Sequence, residues 1–295
     1  MNNKSLSKLI VILGPTASGK TELAIKLAKK FNGEIVSADS RQIYKEMNIG
    51  TAKPQKKETK GIPHHLINIV SLKSNFNAAL YKKLAIKKIE EISEKDKIPF
   101  LVGGTGLYVS AVTDNLDFPK IIPDKKLRIN LERKTAKELF KIYKKLDKQG
   151  AKLIDKNNKR RLVRAVEVCK LTGKSFWEER KKQKPIFKVL KLGIKTEKNY
   201  LNKKIRKRTE KMINSGLKKE SRRLFKKYGM LPVLKTIGYQ EFKEKKDLEK
   251  IKEQINLHTL QLTKRQMTWF KKDKKIHWIK NQVEAIKLIQ NFLKK

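Results

Sequence analysis

Gly14-Pro15-Thr16-Ala17-Ser18-Gly19-Lys20-Thr21 fits the pattern GxxxxGK[ST] and carries the clearest chemistry in the chain. Residue types at this spacing suit an anion. Glycines let backbone amides converge on phosphate oxygens, the start of a following helix adds partial positive charge, and Lys20 can neutralise what remains. Thr21 is placed to hold a Mg²⁺ bridging the same oxygens. A glycine-rich turn needed only for chain reversal would not call for Lys20 and Thr21. A phosphate loop commonly serves a nucleotide-hydrolysing enzyme or a kinase, in which a later strand ends in an aspartate that supplies a second metal contact. Here the corresponding strand, at residues 99–102, runs instead into Gly103-Gly104-Thr105-Gly106.

Three further sets of residues are candidates for chemistry. Asp39 follows an apolar stretch at 34–37, and Thr105 sits between glycines; both fall where strands end, the edge at which open α/β sheets bind ligands. Asp39 can also be read as a turn cap, and Thr105 as a loop threonine satisfying backbone. Arg160, Arg161 and Arg164 recur at helical spacing opposite Leu162, Ala165 and Val166, giving one basic and one apolar face; a plain solvated face is the alternative. His64 and His65 have no acidic or cysteine neighbours at metal-ligand spacing and read as packing or hydrogen-bonding residues.

The elements that must position these residues follow from periodicity. Residues 9–13 form a short apolar run, and Leu23, Ala24, Leu27, Ala28 and Phe31 recur at helical spacing just after the phosphate loop, so strand, loop and helix follow in that order. A second strand is expected at 34–37, a helix at 77–92 with Leu80, Leu84, Ile89 and Ile92 on one side, and a third strand at 99–102. This alternation predicts an α/β fold, a P-loop NTPase-like parallel sheet flanked by helices. From about 124 to 182 the periodicities are helical (Leu127/Leu131, Leu162/Ala165/Val166), between proline-bearing stretches at 119–123 and 183–185. The expected organisation is therefore core at 1–118, helical insertion domain at 119–186, and core again at 187–295. In that last part residues 187–194 resume strand character, the remainder is mainly helical, and a last strand is expected at 276–279.

The motifs, in order and spacing, resemble the tRNA dimethylallyltransferase family (IPP transferases). They are Gly14 to Thr21; Ile35-Val36-Ser37-Ala38-Asp39-Ser40-Arg41-Gln42-Ile43-Tyr44; Ile49-Gly50-Thr51-Ala52-Lys53-Pro54; Pro63-His64-His65-Leu66; and Gly103 to Tyr108. Ile237-Gly238-Tyr239-Gln240-Glu241 and Lys264-Arg265-Gln266-Met267-Thr268-Trp269 continue the likeness. The resemblance implies transfer of a dimethylallyl group from dimethylallyl diphosphate to the N6 amine of adenosine 37, beside the anticodon of a tRNA. It makes Asp39 the base that receives the amine proton, gives Thr105 a role in orienting the amine or the bridging oxygen, and makes Lys20 and Arg208 the cations facing the departing diphosphate. Without it, Arg208 would read as a solvated arginine on a lysine-rich helix. The resemblance also implies that Asp39, Ser40, Arg41, Gln42 and Thr105 meet the extruded base, since modifying a base requires taking it out of its stack. Arg128, Arg160, Arg161, Leu162, Val163 and Arg164 would contact the anticodon arm. Two departures bear on loop geometry: Asn158-Lys159 stands where the family has aspartate-proline, and Asn68 stands where it has aspartate.

Composition limits the remaining classes. At 295 residues the chain buries a large core without staples, and its single cysteine, Cys169, excludes an intramolecular disulfide and reads as a small apolar core residue. A formal charge of +45 points to a polyanionic partner. Because 12 of the 74 basic residues are arginine and the rest lysine, compositional drift shares in that charge, and the arginines are the more informative cations. The start of the chain is too short and polar before its first apolar run for a signal peptide, and nothing resembles a membrane span. A soluble, cytoplasmic protein is expected, with a monomer as the default. Two competing readings are a small-molecule kinase or RNA-stimulated ATPase, and a non-catalytic RNA-binding protein that leaves Lys20, Thr21 and Asp39 unexplained.

Overall fold

β1 (Lys8–Leu13) is apolar from Leu9 to Leu13 and buried along that length, as expected of a strand covered on both faces. It lies inside a six-stranded, all-parallel sheet of order β3-β2-β4-β1-β5-β6, with β2 (Gly33–Ser37), β3 (His64–His65), β4 (Ile98–Gly103), β5 (Lys188–Ile194) and β6 (Ile276–Ile279). Leu13 pairs with Gly103 and Ser37 with Val102, so β1, β4 and β2 end level with one another. Whatever follows those three strands is delivered to one edge. The computed structural model describes residues 6–119, 121, 124–177, 183–244 and 247–294. Residues 1–5, part of the proline-bearing stretch at 119–123 and residues 178–182 of the expected insertion lie outside the described residues.

Side chains alternate along β1 between two cores. Leu9, Val11 and Leu13 join a cluster with α2 (Ala78–Ser93) and α3 (Gly106–Thr113), while Ile10 and Ile12 join one with α1 (Lys20–Lys30) and α11 (Gln282–Lys294). The apolar face of α2 is Tyr81, Ala85, Ile89 and Ile92, not the expected Leu80/Leu84 side; those two leucines are 45% and 38% exposed. Both registers satisfy helical spacing. The sheet selects the one that lets Tyr81 stack on Tyr108 at 3.8 Å and donate to the Ser37 carbonyl at the end of β2. β3, read from sequence only as a histidine pair, forms the short edge strand, and His65 Nε2 bonds to buried Glu34 at 2.7 Å. A third cluster joins α8 (Lys198–Asn214), α9 (Leu217–Tyr228) and α10 (Leu248–Phe270) through Met212, Leu217, Leu224, Ile251 and Ile255 around buried Tyr239.

The chain divides into two compact units, one formed by 1–113 with 185–295 and the other by 114–184. The second is helical, with α4 (Lys125–Arg133), α5 (Ala136–Leu146), α6 (Lys148–Leu153) and α7 (Lys159–Thr172) enclosing Leu131, Leu139, Tyr143, Leu162, Val166 and Cys169. Each helix start is written locally. Asp124, Asp147 and Asn158 accept from amides of the first turns, and Thr135 with Glu138 closes a capping box. Among the described residues, no helix is long and apolar enough to cross a membrane, and no cluster of histidine, cysteine and carboxylate groups suits a metal ion.

Candidate active site

The segment after β1 turns sharply into α1. Gly19 caps α1 in the left-handed region at φ +87°, a conformation glycine adopts freely, and the amides at the start of α1 have no intrahelical acceptor. Ser18 Oγ is buried without a hydrogen-bond partner, an orphaned donor inside the loop. Lys20 Nζ donates to the Pro15 carbonyl at 2.7 Å. Burial, and then the charge of Arg208, pull the Lys20 pKa down to about 8, while Asp39 pulls it up. Arg208 of α8 is likewise held below its ordinary value by burial, with Asp39 opposing. Lys20, Arg208 and Asp39 are therefore close enough to feel one another's charge.

Asp39 and Thr105 arrive from β2 and β4. Asp39 Oδ1 accepts from the Arg41 amide at 2.8 Å and the Gln42 amide at 3.3 Å, so the turn-cap reading holds for one oxygen. Oδ2 takes part in no hydrogen bond among the described residues. The Thr105 hydroxyl accepts from the Ser40 amide at 3.0 Å and donates to Ser40 Oγ at 3.3 Å, so it satisfies backbone as well as facing the site. The glycines around it have steric reasons. A Cβ on Gly103 would lie 2.2 Å from the Ala38 carbonyl oxygen, on Gly104 2.4 Å from Gln266 Nε2, and on Gly106 2.4 Å from Trp269 Cδ1. Thr105 is thus the one side chain that this turn presents.

Two cavities open at this edge of the sheet. The larger, about 730 Å³, is lined by Ala17 to Thr21, Lys53 and a row of α8 cations, Lys204, Lys207, Arg208 and Lys211. The smaller, about 390 Å³, is lined by Asp39, Ser40, Arg41, Thr105, the 235–238 segment, Gln266 and Trp269. Arg208 and Met212 line both. The predicted residues therefore separate into a cationic side and a polar, partly aromatic side, with Arg208 in the walls of both.

Not every predicted residue lies there. Gly14 and Pro15 are buried beneath the loop, and Thr16 lines the smaller cavity. Gln42 turns away: its amide group donates to the Thr51 and Ala52 carbonyls and its oxygen accepts from Ser37 Oγ, each at 3.3 Å. It braces a neighbouring loop rather than lining either cavity. Within the insertion, Leu162 and Val163 are 0% and 6% exposed and pack in the helical core, so their side chains cannot meet RNA. Arg160 is exposed, and Arg161 stands over the Trp177 ring at 4.9 Å. Arg128 makes a two-pronged bond to Glu167 at 2.7 and 2.9 Å, and Arg164 bonds the same buried carboxylate at 2.5 Å. The asparagines at the two departures are held by local bonds. Asn158 caps α7 through the Arg161 amide, and Asn68 accepts from Lys53.

Sequence reasoning missed Lys53, Gln266 and Trp269 as site residues. Lys53 is nearly buried, donates to Asn48, Asn68 and the Tyr44 carbonyl, and burial lowers its pKa to about 8. All three lie inside quoted motifs; for Lys53 the available signal was a lysine following the small and apolar residues of Ile49 to Ala52, while nothing in the polar stretch 264–269 singled out Gln266 or Trp269.

A parallel sheet with a glycine-rich GxxxxGK[ST] loop at the end of an inner strand, and a carboxylate at the same edge, defines a P-loop α/β protein with a cationic cavity beside a polar one. The sequence profile of the IPP transferase family matches residues 42–273. The chain is 39% identical to the tRNA dimethylallyltransferase of Pediococcus pentosaceus, over 97% of this chain and 96% of that one. It is 42% identical to that of Finegoldia magna, over 92% and 90%. Its fold matches the crystal structure of the full-length tRNA isopentenylpyrophosphate transferase of Bacillus halodurans with a TM-score of 0.73 and 34% identity, covering 98% and 96% of the two chains. It also matches a eukaryotic dimethylallyltransferase captured acting on tRNA, with a TM-score of 0.77 and 30% identity over 89% of this chain and 69% of that one. The chain belongs to the IPP transferase family, that of the tRNA dimethylallyltransferases.

Proposed function

We propose that the protein transfers the dimethylallyl group of dimethylallyl diphosphate to the N6 amine of adenosine 37 in tRNA and releases diphosphate. The observation that supports this reading best is that Arg208 stands in the walls of both cavities. One side offers backbone amides, Lys20 and Arg208 to a diphosphate, and the other offers Asp39 and Thr105 to a base. The amine nitrogen forms a bond to the allylic carbon as the carbon–oxygen bond breaks, and the electron pair leaves with diphosphate. Fixed cations stabilise that growing charge more than they stabilise the ground state. The amine proton passes to Asp39, whose Oδ2 is unengaged while Oδ1 is fixed by the turn. Thr105 and Ser40 orient the base, and Arg41 lines its pocket.

The donor set fits Mg²⁺. Thr21 is exposed beside Lys20 on the larger cavity and offers a hard oxygen, and the orphaned Ser18 hydroxyl lies in the same loop. Mg²⁺ takes most of its ligands from phosphate and water, so it can do without a carboxylate at the end of β4. Its chemistry there is neutralisation of the diphosphate oxygens. The insertion, through Arg128, Arg160, Arg161 and Arg164, serves the anticodon arm. We further infer that the protein works in the cytoplasm as a monomer.

Incubation with Mg²⁺, labelled dimethylallyl diphosphate and mixed tRNA tests this reading. Label should appear on a single purine next to the anticodon, with no ATP consumed. Sustained ATP turnover without prenyl transfer would instead favour an RNA-stimulated ATPase.

A further inference from the structure

The phosphate loop and the Gly103–Gly106 turn are tied together by one side chain. Gln266 of α10 accepts from the Thr16 amide at 2.9 Å through Oε1 and donates to the Gly104 carbonyl at 2.9 Å through Nε2. It is partly buried, and it approaches Gly104 so closely that any side chain there would collide with it. One helical turn further on, Trp269 fills the space left by Gly106 in the same way. The turn bearing Thr105 is therefore seated on α10 by two residues, and one of them also holds the loop bearing Lys20. Thr105 in turn holds Ser40, the neighbour of Asp39, through the Ser40 amide and hydroxyl. A continuous series of direct contacts runs from the anion loop through Gln266 to the Thr105–Ser40–Asp39 group.

We propose that Gln266 is a positioning residue which fixes the spacing between the phosphate loop and the Thr105 turn, and hence between the departing diphosphate and the attacking amine. Both its hydrogen bonds are made within the protein. Its oxygen occupies the Thr16 amide, which leaves the amides from Gly19 to Thr21, at the start of α1, to face the anion. Reacting atoms must approach within a narrow window, and a displacement of about 1 Å remote from the chemistry can cost about a hundredfold in rate. The inference rests on the transferase reading above, so wild-type transfer activity must be established beside it.

The test is Gln266→Met, which keeps the length of the side chain and removes both hydrogen bonds. Steady-state transfer should show kcat reduced roughly ten- to a hundredfold, with KM for tRNA unchanged. The Thr16 amide should exchange faster with solvent. Rescue should follow the hydrogen bonds: Gln266→Glu, which keeps the oxygen that accepts from the Thr16 amide but cannot donate to the Gly104 carbonyl when ionised, should be slow like Gln266→Met. If the Met variant does not fold, Gln266→Asn, too short to span both partners, is measured instead. A raised KM with unchanged kcat would make Gln266 an RNA contact and overturn the inference. Absence of transfer by the wild type would sink the transferase reading itself; normal transfer with full kcat in Gln266→Met would sink this inference alone.

Discussion

The two units treat their partly buried cations in opposite ways. In the sheet-bearing unit Lys20 and Arg208 lie close together, burial lowers the pKa of each, and among the described residues neither forms an ion pair with a carboxylate. Asp39 is near enough to be felt by both, yet its hydrogen bonds go to main-chain amides. In the helical unit Arg128 and Arg164 share the fully buried carboxylate of Glu167. An unpaired buried cation is costly until an anion arrives, which suits a site that must hold a charged leaving group. A cation paired to a buried carboxylate is already compensated, and its value lies in geometry. Two different electrostatic arrangements thus coexist within one basic chain, one uncompensated and one compensated.

Substitution of the carboxylate in the first arrangement should have the largest effect. Asp39→Asn keeps an oxygen to accept from the Arg41 and Gln42 amides and removes only the basicity. Transfer at saturating substrates should fall by about 10²- to 10⁴-fold, the usual contribution of a positioned base. Gel-shift affinity for tRNA should be unchanged. If Asp39→Asn remains active while Asp39→Ala does not, the residue is a turn cap and the contrast between the units loses its chemical side.

The unpaired state of Lys20 carries a pH signature. Binding of an anion raises the pKa of a nearby amine, so affinity for inorganic diphosphate is full while free Lys20 is protonated and declines once it is not. With a pKa of about 8 in the free protein, affinity measured by calorimetry and corrected for the ionisation of diphosphate itself should be flat from about pH 6.5 to 7.5. It should then weaken toward a limit of about tenfold per pH unit above 8. The arginines of the helical unit stay charged throughout this range, so tRNA affinity should not follow the same curve. Parallel curves for the two ligands would place a common titrating group behind both.

Legibility in the sequence followed distance along the chain. The phosphate loop is contiguous, and its chemistry could be read because all eight residues act together. The strands other than β3 were legible because an apolar run as short as Leu9 to Leu13, closed by a glycine turn, suits a strand buried on both faces and is too short for a helix. Helix faces were less secure: in α2 the leucine and tyrosine registers both satisfy the spacing, and only the sheet decides between them. The Gln266 clamp joins residues 250 and 162 positions apart, so no local pattern announces it. Glu167 was hidden differently. A lone acid three residues after Arg164 and seven after Arg160 falls on the basic face of the helix and looks like a solvated ion-pair partner; that its carboxylate is fully buried depends on α4, which brings Arg128 to it.

The smallest expected effect bears on the second half of the comparison. Counterion release makes tRNA affinity fall with salt in proportion to the number of phosphate-neutralising cations. Arg160 is exposed, with no carboxylate bonded to it among the described residues, whereas Arg164 is bonded to Glu167. Arg160→Ala should therefore reduce the slope of log affinity against log salt by about 0.7–0.9, the value for one phosphate contact. Arg164→Ala should reduce it by less, because Glu167 already neutralises part of its charge, and its larger effect should be a lowered melting temperature as the buried carboxylate loses a partner. Filter binding across a salt series and a thermal melt of each variant separate the two. Equal slopes with equal melting temperatures would mean that Glu167 does not distinguish the two arginines, and the division between compensated and uncompensated cations would fail within this unit.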